Sequence, residues 1–199
     1  NILHIICNNN TGDYMTLSKD IEENYKHFKN DFVDCSDFLV RKAKIEDKKL
    51  FFAACDGLID SLQLSQMVVS PILKSEDISI DNIKNSITNC VELNEAKTFA
   101  DCYYYIMSGF AIVVVDGENI ALAFGIQNPP SRSVDEPTNE QSTKAPKEAF
   151  VEILNTNKAL LRKRLKTPHL KLKQIKLASA APAPCVIAYM DDRADKELV

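Results

Sequence analysis

The chain has 199 residues, 45% of them hydrophobic and 26% charged, with a formal net charge of -4. That is enough apolar material for one ordinary domain or two small ones, and the mixed, slightly acidic charge argues against a nucleic-acid binder. With five glycines in all and no Walker-type loop, dinucleotide loop, Gly-x-Ser-x-Gly or Ser-x-x-Lys motif, the known nucleotide cradles and serine nucleophile motifs are excluded.

No apolar run approaches the roughly 18 residues that span a bilayer, and the longest, Phe110 to Val115, is strand-sized. The sequence therefore reads as a soluble segment. No charged leader with a cleavage site precedes Asn1 and no initiator Met stands there, which points to missing leading residues. Six cysteines, Cys7, Cys35, Cys55, Cys90, Cys102 and Cys185, form no CxxC or Cys/His cluster. They read as reduced core or boundary residues in a reducing compartment. His4, His27 and His169 are dispersed, without a Cys or carboxylate at ligand spacing, so neither a metal site nor a cofactor is expected.

In chain order, Ser18 to Lys29 is charged and moderately periodic, fitting a peripheral helix that packs loosely or on a neighbouring chain. Phe38 to Ile45 and Lys49 to Cys55 flank the polar turn Glu46-Asp47-Lys48 as an antiparallel hairpin. Asp60 then caps a helix whose apolar face is Leu62, Met67, Val68 and Ile72, until Pro71 disturbs the last turn. A short helix over Ile80 to Asn89 precedes a strand over Cys90 to Leu93 and a helix over Thr98 to Met107 that Ser108-Gly109 ends. Phe110 to Val115 and Ile120 to Ile126 flank Asp116-Gly117-Glu118-Asn119, the strongest hairpin signal in the chain. Asn128 to Thr143, rich in Pro, Ser, Asn and acids, reads as a linker.

A helix is expected from Pro146 to the stop at Thr167-Pro168. At about 100° per residue, Phe150, Leu154, Asn157, Leu161, Arg164 and Leu165 share one face, with Ile153 and Leu160 at its edge. Two polar groups on an apolar face need partners, because an unpaired buried amide costs about 1–3 kcal/mol and an unpaired guanidinium more. Asn157 and Arg164 are therefore the candidate contacts between two parts of the chain, with Asp56 and Asp60 as acidic partners. An alternating strand, Leu170, Leu172, Ile175 and Leu177 with interleaved lysines, is followed by a buried-looking strand over Cys185 to Met190. Both hairpins lead into Asp-x-x-x-Asp, at Asp56 to Asp60 and at Asp191 to Asp195, which reads as an internal repeat.

The aspartates at the strand ends, with Asp116, are of the kind that hold Mg²⁺ or act as general bases. Helix capping and turn chemistry explain them more simply. The run Arg162-Lys163-Arg164-Leu165-Lys166 complements a helix C-terminus, with contact to an anionic membrane surface as the functional remainder. Of Tyr103, Tyr104 and Tyr105, at least one phenol must be exposed or at an interface.

Several motifs share one order. They are Cys35-Ser36-Asp37-Phe38, Arg41-Lys42, Asp56-Gly57-Leu58-Ile59-Asp60, Ser108-Gly109 and Val113-Val114-Val115-Asp116-Gly117. Pro146, Lys147, Glu148, Phe150, Asn155-Thr156-Asn157, Leu160-Leu161-Arg162-Lys163-Arg164-Leu165, Pro168 and Leu170-Lys171 continue it. In this order the chain resembles the A subunit of spore germinant receptors, the GerA family, from about Phe32 to Val199. That family usually has Gly and Arg where this chain has Ala145 and Lys147, and a basic, Thr-containing strand start where this chain has Ala178-Ser179-Ala180-Ala181-Pro182-Ala183-Pro184.

The resemblance implies a nutrient-sensing, non-enzymatic receptor subunit of the spore inner membrane. This region would lie on the cytosolic side, working with B and C subunits and other A subunits, with membrane helices downstream. The expected fold is α/β: two small subdomains with mixed β-sheets flanked by helices, joined by a Pro-rich linker and a long helix. The boundaries are an N-terminal extension over 1–30, a first subdomain over 31–127, a linker over 128–145, and the connecting helix with an incomplete second subdomain over 146–199. Two rivals stand beside the coupling role: a germinant-binding module using the cleft between subdomains, and a metal-dependent hydrolase using the aspartates.

Overall fold

The computed structural model of the chain describes residues 15–128, 149–177, 183–195 and 197–198. Its main sheet has five antiparallel strands in the order β1-β2-β4-β5-β3. These are β1 (Phe38–Ile45), β2 (Lys48–Cys55), β3 (Leu93–Ala96), β4 (Phe110–Val115) and β5 (Ala121–Gly125). Central β4 is apolar at every position because both sheet faces are covered. Phe51, Ala53, Cys55, Ile112 and Val114 point to one face, and Leu50, Phe52, Ala54, Val113 and Val115 to the other.

The first face is covered by α1 (Ile21–Asp31) and α5 (Phe99–Met107). Phe28 of α1 is fully buried and meets Phe51 edge-on at 5.5 Å and Tyr103 at 5.6 Å. The N-terminal helix is thus a core element, and the expectation of a loosely packed one is corrected. Ile21, Asn24 and Phe28 recur at helical spacing on its buried side, so its charges are confined to the outer side. Asp20 caps α1, and Thr98 with Asp101 forms a reciprocal capping box on α5.

The second face carries a helical rod made of α2 (Ser61–Gln63), a π-helical stretch (Leu64–Val69) and α3 (Ser70–Leu73). Val68 and Ile72 are its buried anchors, whereas Leu62 and Met67, expected on the same face, are exposed. Pro71 lies within the rod and cannot donate to the turn before it, where the hydrogen-bonding has widened to the π pattern. A shorter helix, α4 (Ile80–Asn82) continued by a π stretch (Ile83–Ile87), packs on the same face through Ile80 and Ile83.

Beyond the main sheet lie α6 (Leu154–Arg164) and an antiparallel hairpin of β6 (Leu170–Leu177) and β7 (Ala183–Met190). Both sheets are antiparallel, and the only parallel pairing among the described residues is an isolated bridge between Cys35 and Leu172. The helix expected from Pro146 begins at Leu154; Pro146 itself and most of the expected linker lie outside the described residues. The expectation of a buried β7 is also corrected, since none of its residues is buried and Ile187 is 40% exposed.

Candidate functional site

The contact between the main sheet and the second hairpin is built from the six residues that connect α1 to β1. Asp34 takes φ 57°, turning the chain out of the helix so that Cys35, between two turns, forms an isolated parallel bridge with Leu172. The Leu172 N–H donates to the Asp34 carbonyl at 3.0 Å, and the Ser36 N–H donates to the Leu172 carbonyl at 3.1 Å. These two bonds make the parallel bridge.

Asp37, buried just before β1, meets Arg162 of α6 in a two-pronged ion pair. Arg162 Nε donates to Asp37 Oδ2 at 2.8 Å and Nη2 to Asp37 Oδ1 at 2.9 Å. Arg162 Nη1 donates to the carbonyls of Thr167 at 2.9 Å and Leu170 at 3.0 Å, so one guanidinium ties α6, the turn after it, β6 and β1 together. The side chain is 0% exposed and Asp37 1%. Burial disfavours the Arg162 charge, but the Asp37 bonds outweigh it and hold the group above its ordinary pKa.

Around this pair the polar contacts continue. Lys171 donates to the Asp31 carbonyl at 2.6 Å and lies 3.1 Å from Asp191, which also meets His169 Nδ1 at 2.8 Å. The Tyr189 hydroxyl donates to Asp34 at 3.1 Å, and the Cys35 thiol donates to the Leu170 carbonyl at 3.5 Å. Burial pushes the Cys35 and Cys55 thiols up, so thiolate chemistry is disfavoured beside the pair. Among the described residues no three His, Cys, Asp or Glu side chains gather as metal ligands would. The arrangement is built to hold two parts of the chain in one geometry.

The four candidate contact residues fall around this site without forming it. Asn157 is half-buried and bonds locally: its Oδ1 accepts from the Val151 N–H at 2.8 Å and its Nδ2 donates to the Val151 carbonyl at 2.6 Å, pinning the chain before α6. Arg164 is exposed in the last turn of α6. Asp60 caps α2 through the Leu62 and Gln63 N–H groups, and Asp56 accepts from the Gly57 N–H at 3.0 Å. Asp56 comes nearest the ion pair, since its own N–H donates to the Asp37 carbonyl at 2.7 Å.

The buried guanidinium thus belongs to Arg162, and its acid is Asp37. The inward face of α6 is Lys158, Ala159 and Arg162, rotated from the apolar stripe, while Phe150 is 66% and Leu165 43% exposed. A small residue marks the turned face: Ala159 rests against Gly57, where an added Cβ would lie 3.1 Å from the Ala159 Cβ. The pairing of a small helical residue with Arg one turn later was a usable signal in the sequence.

Two antiparallel sheets with covering helices define an α/β domain. The fold matches that of the N-terminal domain of the A subunit of the Bacillus megaterium spore germinant receptor GerK3, with a TM-score of 0.65 and 23% identity over 92% of this chain and 69% of that one. A family model described as Bacillus/Clostridium GerA spore germination protein matches residues 26–199, and the chain belongs to that family. It is 29% identical over 184 residues to stage V sporulation protein AF of Bacillus subtilis (strain 168), covering 89% of this chain and 37% of that protein. It is 29% identical over 191 residues to spore germination protein B1 of the same organism, covering 93% of this chain and 39% of that protein. The chain therefore spans about two fifths of the length of these relatives. No helix among the described residues is long and apolar enough to cross a membrane.

Proposed function

We propose that this chain is the N-terminal domain of a germinant receptor A subunit, and that the Arg162–Asp37 pair locks the second hairpin to the main sheet so that displacement of one is felt by the other. The observation that carries the reading is the fully buried two-pronged ion pair, spanning 125 residues of sequence, at the contact between the two. A buried pair of this kind adds less to stability than an apolar contact of equal size, but it fixes geometry, and losing one partner is costly. In this reading Asp56 and Asp60 hold the loop on which α6 rests, Asn157 sets where α6 begins, and Arg164 lies on its outward side.

The remaining parts of the proposal follow from the family. The domain works with B and C subunits and other A subunits, as a receptor subunit and not as an enzyme. It sits on the cytosolic side of the spore inner membrane, to which segments outside this chain attach it. A germinant site in the contact between the two parts is the rival. Against it stands the filling of that contact by the Arg162 fork, Lys171 and Cys35.

The test is germination of spores that carry the whole receptor with Arg162→Met, beside the exposed neighbour Lys163→Ala, with the receptor in spore membranes measured by immunoblot. Arg162→Met is expected to abolish most of the nutrient response at normal receptor abundance, while Lys163→Ala germinates as the parent does. A normal response from Arg162→Met at normal abundance would refute the lock. If abundance falls, the double variant Arg162→Met with Asp37→Leu restores it without the charge pair, and the same two outcomes are then read from that receptor.

A further inference from the structure

On the face of the main sheet away from α1, the helical rod leaves β1 partly uncovered, and a cleft of about 320 Å³ lies between them. That volume falls at the lower end of small-molecule sites. Leu39, Phe52 and Ala54 of the sheet and Leu64 and Val69 of the rod form apolar walls. The register pairs Leu39 with Ala54 and Arg41 with Phe52, so Leu39 and Arg41 share this face. Leu39 is 44% exposed, an apolar wall left open to solvent. The rod's wall is the π-helical stretch, a geometry that recurs at functional sites.

Among the described residues, Arg41 is the only charged one lining the cleft. Its neighbours on the hairpin, Lys42 and Lys49, are ion-paired with Glu22, whereas the Arg41 guanidinium has no hydrogen bond or ion pair among the described residues. A guanidinium with its donors uncommitted beside apolar walls matches a planar anion that carries an apolar body. The hydroxyl-bearing Ser61 and Ser65 also line the cleft and supply polar contacts. No acid among the described residues lines it, and the nearby Asp60 carboxylate is occupied by the Leu62 and Gln63 N–H groups. The ammonium of a zwitterion would find no partner there.

We infer that this cleft binds a small organic monocarboxylate with a branched or short-chain apolar body, the carboxylate held by Arg41 and the body by Leu39, Phe52, Leu64 and Val69. The site lies within the main sheet and its rod, away from the Arg162–Asp37 contact, and does not depend on the receptor reading.

The experiment titrates the 199-residue chain with isocaproate, isocaproamide, leucine and acetate, following backbone amide shifts by NMR. Isocaproate is expected to give saturable shifts at Leu39 to Arg41 and Ser61 to Ser65. It should bind roughly tenfold or more tightly than the amide, which lacks the charge, the zwitterion leucine, or acetate, which lacks the body. Arg41→Gln, an exposed change, is expected to erase the preference for isocaproate over the amide. Ser65→Phe, which fills the cleft from the exposed side of the rod, is expected to abolish binding of all four. Shifts mapping elsewhere, equal binding of isocaproate and isocaproamide, preference for leucine, or no saturable response would each overturn the assignment.

Discussion

The main sheet is held by apolar packing, and the second hairpin by a smaller apolar contact with a dense set of directional polar bonds. Every residue of β4 is buried, and the sheet's two faces are filled by aromatic and branched side chains. The hairpin buries Leu170 and Leu172, but it is also tied to the rest of the chain by Arg162 on the Leu170 carbonyl, a lysine on a carbonyl, a tyrosine on an aspartate and two backbone bonds of a parallel bridge. Apolar burial is strong and tolerant of direction. The polar contact is directional: it specifies one placement of the hairpin, and its worth depends on all its members being present. Under the proposed coupling role, the sheet is the body that does not yield and the polar contact the joint that fixes one placement.

The largest effect is expected from breaking the body. Phe51→Ala removes a fully buried ring packed on Tyr25 and Phe28, and a loss of about 3–5 kcal/mol in urea unfolding is expected, shared by every probe. Arg162→Met should cost up to a similar 3–5 kcal/mol through the stranded Asp37 carboxylate, but the loss should appear first at the hairpin. Adding Asp37→Leu is expected to recover most of it, leaving the double variant within about 1 kcal/mol of the parent. A double variant as unstable as the single one would mean that the pair itself, rather than the stranded charge, carries the stability.

Smaller effects sharpen the comparison at its margins. Gly109 has φ 86°, and a Cβ there would lie 2.8 Å from the Leu58 carbonyl. Gly109→Ala is therefore expected to lower stability by about 1–3 kcal/mol in thermal unfolding. Asp60→Ala removes the cap that serves the Leu62 and Gln63 N–H groups. A loss of about 1 kcal/mol is expected, confined in hydrogen exchange to the rod. A loss spread through β6 and β7 would show that Asp60 also supports the joint.

The body was legible in the sequence because its signals are local. The turn at Glu46-Asp47, the run Phe110 to Val115, the helix over Thr98 to Met107 and the Gly117 turn each follow from a few adjacent residues, and the structure has a hairpin or helix at each. The joint was harder to read because its residues owe their roles to packing across the chain. A helix can be rotated by one residue without altering its own periodicity. Leu161 and Arg164 therefore appeared to be the inner face when Ala159 and Arg162 are. The sequence reading placed the polar contact at Arg164, whereas the buried guanidinium is that of Arg162. Asp37 stands in a motif of the resemblance but shows nothing of its role, since an Asp before a strand is ordinary turn chemistry; only Arg162, 125 residues away, gives it that role. The rod's π geometry likewise escaped, because periodicity shows where apolar residues recur and not how the turns between them are bonded.

Amide hydrogen exchange of Arg162→Met against the parent chain tests the joint most directly. The account predicts that Ser36 and Leu172, whose N–H groups make the parallel bridge, lose protection by several orders of magnitude while Val113 in β4 keeps its own. Unchanged protection at Ser36 and Leu172, or an equal loss at Val113, would contradict it.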